Sequence, residues 1–143
     1  MLNYLSTKTY GHEVGLTACF RQHRAKSHCR YLHGYALKFR FEFEAARLDE
    51  NGWVVDFGSL KPLKDALADQ FDHCTLVAED DPELDTFKNL ALLKIIQLRV
   101  VRRTGCEAFA TMALHMAQEL VPQARVRACE VWEHGANSAR VEA

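Results

Sequence analysis

The stretch HGYALKFRFEFE, residues 33–44, decides how the chain folds. Leu37, Phe39, Phe41 and Phe43 recur at every second position, and Lys38, Arg40, Glu42 and Glu44 fill the positions between them. Side chains alternate faces along a strand, so this pattern describes a strand with one apolar face and one charged, solvent-facing side. By the same parity His33 and Tyr35 lie on the apolar face, at its mouth. A sheet that buries only one face is typical of antiparallel pairing.

Working outward, EVGLTACF (13–20) places Val14, Leu16, Ala18 and Phe20 on one side and predicts a second half-buried strand. LDENG (48–52) reads as a turn, after which WVVDF (53–57) continues the sheet. From Ser59 the period changes. Leu60, Leu63, Leu67 and Phe71 form one helical stripe, with Ser59 as N-cap and Pro62 in the first turn. Residues 78–93 read as a loop running into a short helix, and QLRVV (97–101) as a short strand. Phe109, Met112, Ala113, Met116 and Leu120 mark a second long amphipathic helix stopped near Pro122. RVRACEVWE (125–133) is again a strand, with the tail SARVE (138–142) pairing beside it. Runs of strands separated from runs of helices predict the α+β class, with an antiparallel sheet of about four strands and two main helices. Open sheet edges predict pairing with another subunit.

The 143 residues are the size of one domain, 1–143, and 48% hydrophobic with 26% charged residues is an ordinary globular composition. Lys and Arg number 18 against 19 Asp and Glu, so no global basic field draws in nucleic acid or anionic lipid, and any polyanion site must be local. MLNYLSTKTYGHEV has neither a basic n-region nor an apolar h-region, and no later stretch approaches the ~18 apolar residues of a membrane span. These features predict a cytoplasmic protein without a membrane partner. Five cysteines without a Cys-x-x-Cys pair argue against a disulfide framework and against a thiolate zinc ribbon.

Four places carry residue types suited to chemistry. Cys29 lies in a segment dense in positive charge, with Arg21, His23, Arg24, Lys26, His28 and Arg30. Cationic neighbours favour thiolate, the form that acts as nucleophile or base; the alternative is a solvated basic loop with an idle cysteine. His33 is either a ligand or a satisfied core residue. Asp72 and His73, in FDHCTL, are a proton-handling pair if the carboxylate orients the imidazole, or a helix-dipole partner if it does not. Glu133, in VWEHG, ends an otherwise apolar strand, where a carboxylate matches a ring presenting neighbouring N–H groups, as pterins and guanines do, or is simply exposed.

Cys29 followed by LHG (32–34), NGWVVDFGSLK (51–61), Asp72–His73, Glu107 in CEAFA (106–110) and VWE ending at Glu133 occur in one order over most of the chain. In that order they resemble the 6-pyruvoyl-tetrahydropterin synthase family, which includes the bacterial 6-carboxytetrahydropterin synthases of queuosine biosynthesis. The resemblance implies a T-fold, an antiparallel sheet with two helices on one face, assembled through its edges into a barrel, usually a hexamer, with sites between subunits. It implies action on 7,8-dihydroneopterin triphosphate, with loss of triphosphate and rearrangement or cleavage of the side chain. By position Glu133 anchors the pterin, with Glu107 also on the substrate side. Cys29 is the proton-abstracting thiolate, and Asp72 and His73 are its relay. The basic segment 21–30 then has a use, since a triphosphate needs local cations.

The family also binds zinc through three histidines, and here the sequence departs from it. Tyr35 stands at the third ligand position and Phe20, by ungapped alignment, at the first. His33 remains, with His23 and His28 as substitute zinc ligands. Two readings follow from the resemblance: a pterin-synthase-type carbon–oxygen or carbon–carbon lyase, or a pterin- or guanine-binding T-fold protein that has lost the zinc-dependent reaction.

Overall fold

A computed structural model describes all residues, 1–143. Seven strands and three α-helices follow one another as β1 (Tyr4–Tyr10), β2 (Leu16–Phe20), β3 (His33–Ala45), α1 (Lys61–Phe71), β4 (Cys74–Ala78), α2 (Leu84–Leu92), β5 (Leu98–Val101), α3 (Cys106–Leu120), β6 (Arg125–His134) and β7 (Asn137–Glu142). The long alternating segment is the 13-residue β3, and the sheet is built on it. β2 pairs with its first part and β1 with its second, on the same edge; β6 takes the other edge. The strand order is β5-β4-β2-β3-β6-β7, with β1 joined to β3.

A short 3-10 turn, His12–Val14, separates β1 from β2 and closes on Gly15 at φ 77°, a left-handed conformation that glycine adopts without a Cβ penalty. Val14 therefore belongs to the turn, and the apolar face of β2 begins at Leu16.

The α+β class and the two main helices stand as expected, but the sheet is larger than four strands and is mixed. β2 with β4, and β4 with β5, run parallel. WVVDF is not a strand. The Asp49 carboxylate accepts the amides of Asn51 and Trp53, and the Asp56 carboxylate accepts that of Gly58, so the backbone turns into a 3-10 segment, Phe57–Leu60. Ser59 is not the helix cap either. Its hydroxyl donates to the Asp56 carbonyl, and α1 starts at Lys61 with Pro62 in its first turn.

Leu37, Phe39, Phe41 and Phe43 are fully buried against Leu63, Leu67 and Phe71 of α1 and Phe109, Ala110, Ala113 and Ala117 of α3. Phe71 ties the layers together, its ring centroid 4.9 Å from Phe39 and 5.4 Å from Phe109. Burying such a ring stabilises the fold by about 1.5–3 kcal/mol. Across the sheet the charged residues of β3 are paired: Glu42 accepts from Arg140 at 2.7 Å, and Glu44 meets Arg125 at 2.9 Å. No helix is long and apolar enough to cross a membrane.

Candidate active site

The register of β2 on β3 sets Phe20 opposite His33 and Ala18 opposite Tyr35. Three rings therefore meet on the helix-covered face at one end of the sheet. Phe20 lies 5.0 Å from His33 and 6.1 Å from Tyr35, and the last two are 5.6 Å apart edge to face. His134, at the end of β6, adds a fourth ring 5.9 Å from Tyr35. The T-shaped contact of Phe20 with Phe109, at 5.0 Å, anchors the group to α3.

Tyr35 is the hub of the site. Burial pushes its phenol above the ordinary value, and the charges of Glu133, Cys29 and Cys106 act in the same direction. Cys106, the first residue of α3, is pushed up to about 12 by burial and by Glu133 and Glu107 beside it. Its thiol thus stays protonated at neutral pH. The helix is entered through Gly105 at φ 109°, and the Gln22 amide packs beneath this glycine while donating to the Thr104 carbonyl.

Cys29 reaches the site on the 3-10 turn His28–Arg30, which the Ser27 side chain caps. Its carbonyl accepts the Gln22 amide at 2.9 Å, folding the turn back onto the end of β2. The basic segment around it is largely neutralised. Arg21 forms a two-point pair with Asp81 at 2.6 and 2.8 Å, Arg24 meets Asp80 at 2.7 Å and His23 meets Asp80 at 3.2 Å. The guanidinium of Arg30 lies over the Tyr31 ring, 5.0 Å from its centroid. Local positive charge is thus left to Lys26 and Arg30.

Asp72 and His73 do form a pair. The Asp72 carboxylate lies 2.7 Å from His73 Nδ1 and accepts from the Thr17 amide and hydroxyl at 3.3 and 3.1 Å. Burial pushes this carboxyl up, but the bonds from His73 and Thr17 prevail and hold it below its usual value. His73 has φ 57°, unusual for a residue other than glycine, and its side chain is 83% exposed. The pair does not join Cys29 within the chain. Thr17, to which it is tied, lies near the start of β2, whereas Gln22, to which Cys29 is tied, lies beyond the strand's end at Phe20. Thr17 also alternates with the buried Leu16 and Ala18, so the pair lies toward the other face.

The zinc ligands do not assemble. Phe20 offers no donor atom and His23 is bonded to Asp80, while His33, its Nδ1 bonded to the Tyr31 carbonyl at 2.6 Å, keeps Nε2 as a single donor. His33, His23 and His28 do not converge, and no three His, Cys, Asp or Glu side chains form a metal-holding group. A zinc site requires three protein ligands, which this donor set does not supply.

Sequence reasoning missed His134 and the contact of Cys106 with Glu133. No sequence pattern points to His134: the register of Lys38 on Trp132, continued, sets it opposite Ala36, and only after the register shift that follows Trp132 does its ring come 5.9 Å from Tyr35. Cys106 depends on how α3 packs on β6, which no local pattern records.

The family model for 6-pyruvoyl tetrahydropterin synthase matches residues 11–143. The 6-carboxy-5,6,7,8-tetrahydropterin synthase of Rickettsia conorii is 30% identical over 106 residues, covering 71% of this chain and 73% of the relative. That of Rickettsia bellii is 28% identical over 113 residues, with the same coverage of 71% and 73%. Among solved structures, an uncharacterized protein of Wolinella succinogenes superposes with a TM-score of 0.82 at 21% identity, covering 99% of both chains. The 6-pyruvoyl tetrahydropterin synthase of Plasmodium falciparum superposes with a TM-score of 0.67 at 14% identity, covering 99% of this chain and 98% of that one. The fold is thus the T-fold that the motif order implied, and the chain belongs to the 6-pyruvoyl tetrahydropterin synthase family.

Proposed function

We propose that the chain is a tetrahydropterin-synthase-type lyase acting on 7,8-dihydroneopterin triphosphate or a related pterin. The observation that carries this reading is the cluster of the His33, Tyr35 and His134 rings at one end of the sheet, with Glu133 next to His134 on β6 and Cys29 on the turn that leads into β3. Glu133 accepts the paired N–H groups of the pterin ring, a charge-assisted arrangement stronger than neutral hydrogen bonds. Cys29 takes a proton from the side chain, and Lys26 and Arg30 offer cationic groups to the triphosphate. Glu107, one residue after Cys106, borders the same end of α3.

Asp72 and His73 are assigned to the relay in a homo-oligomer, where the pair of one copy serves the Cys29 of the next. Their separation from Cys29 along β2 supports a site shared between copies. The names of the Rickettsia relatives support a product with a carboxyl group at ring position 6. The test is turnover: the purified protein converts 7,8-dihydroneopterin triphosphate and Cys29→Ala does not. Equal turnover by the variant removes the catalytic assignment.

The buried Phe20 at the first family ligand position favours a second reading, a pterin-binding protein without lyase activity. In that case a pterin raises the melting temperature, Glu133→Ala cancels the rise and no product forms.

A further inference from the structure

Three ring positions where the family presents metal-binding histidines hold a phenyl, an imidazole and a phenol. Phe20, 1% exposed, forms a wall without donor or acceptor atoms. His33 is held in place: its Nδ1 meets a carbonyl, which can only accept, so Nδ1 carries the proton. Tyr35 stands edge to face on this imidazole, with its ring also against Phe20 and His134. Its phenol is a neutral donor at neutral pH. Burial and the charges of Glu133, Cys29 and Cys106 act on it, and no hydrogen bond within the chain does. The hydroxyl is therefore an uncommitted donor on a ring held by three others, at the end of the sheet where β6 carries Glu133 next to His134.

We infer that the Tyr35 hydroxyl binds a side-chain oxygen of the pterin without a metal ion, which makes Tyr35 a specificity-determining residue of this chain. The inference rests on the pterin reading above and deepens it. A metal ion draws oxygen by charge and needs several ligands; a phenol fixed by packing draws the same oxygen by one hydrogen bond and needs none. The two arrangements differ in what they require from solution, because only the first responds to chelators.

The test compares two ligands in the presence of EDTA: 7,8-dihydroneopterin, which carries side-chain hydroxyls, and 6-methyl-7,8-dihydropterin, which carries no side-chain oxygen. Affinities of wild type and Tyr35→Phe are read by fluorescence titration. The substitution removes one oxygen and keeps the ring that packs on Phe20 and His33. Wild type should prefer dihydroneopterin by about three- to tenfold, the worth of one net hydrogen bond. Tyr35→Phe should bind both ligands equally and keep wild-type affinity for the methyl compound. A preference that survives in Tyr35→Phe overturns the inference, as does one that vanishes with EDTA and returns with zinc. Wild type binding both pterins equally overturns it while leaving the pterin reading intact. Wild type binding neither overturns that reading and the inference with it.

Discussion

Phe20 and His33 face one another across β2 and β3 with their ring centroids 5.0 Å apart. A buried phenyl group thus fills the place from which the family resemblance expects a first zinc-binding imidazole. Protein purified without added zinc should contain far less than one zinc per chain by elemental mass spectrometry. The double variant Phe20→His with Tyr35→His, which restores three imidazoles to one end of the sheet, should bind near-stoichiometric zinc. Stoichiometric zinc in wild type would show that His33 recruits ligands from outside this cluster.

Arg21 and Asp81 hold the segment leading to Cys29 against the loop after β4, and the Asp81 side chain is 1% exposed. Removing one partner of a buried pair leaves the other uncompensated, so Asp81→Asn should cost about 2–4 kcal/mol, toward the lower end because Arg21 is partly solvated. Arg21 holds the Asp81 carboxyl below its usual value despite burial. A lowered folded-state value stabilises the fold above the unfolded-state value and loses that effect as pH falls through the folded one. Urea denaturation should therefore show a wild-type advantage over Asp81→Asn that is constant near neutrality and shrinks below about pH 4. An advantage that grows on acidification would contradict the pairing.

Cys29 and the Asp72–His73 pair lie toward opposite ends of β2, linked to Gln22 and Thr17 respectively. If copies share their sites, Cys29→Ala and His73→Ala should each be inactive alone and should regain turnover when the two chains are co-expressed. Co-assembled variants that stay inactive would place the relay elsewhere.

Phe109 joins Phe20 to Phe71, with centroid distances of 5.0 and 5.4 Å. Phe109→Ala should lose about 3–5 kcal/mol in chemical denaturation, and Phe109→Leu far less. A loss below about 1 kcal/mol would mean that the ring cluster is not part of the core.

What was legible in the sequence follows from how strongly one face is buried. β3 declares itself because Leu37, Phe39, Phe41 and Phe43 alternate with charges. The stripes of α1 and α3 are visible for the same reason. β4 was hidden because all five residues of CTLVA are buried, which erases the alternation, and β1 because most of YLSTKTY is exposed on both sides. WVVDF has strand-like composition, yet two aspartates accept its neighbouring amides and turn the backbone.

At the site, Cys29, Glu133 and the Asp72–His73 pair were singled out through short segments in a familiar order, and the structure brings Asp72 and His73 into contact. The pairing of Arg21 with Asp81 spans 60 positions and left no local trace, so the segment 21–30 looked more cationic than its folded form is. That neutralisation is a property of the folded loop alone, since the residues are charged in either state.

Both functional readings require that a pterin bind at Glu133, and the most direct measurement is calorimetric titration of 7,8-dihydroneopterin into wild type and Glu133→Gln. A hydrogen bond to a charged group is worth about 1.5–3 kcal/mol. The account predicts measurable binding by wild type and at least about tenfold weaker binding by Glu133→Gln. No binding by wild type, or equal affinity in the variant, would contradict it.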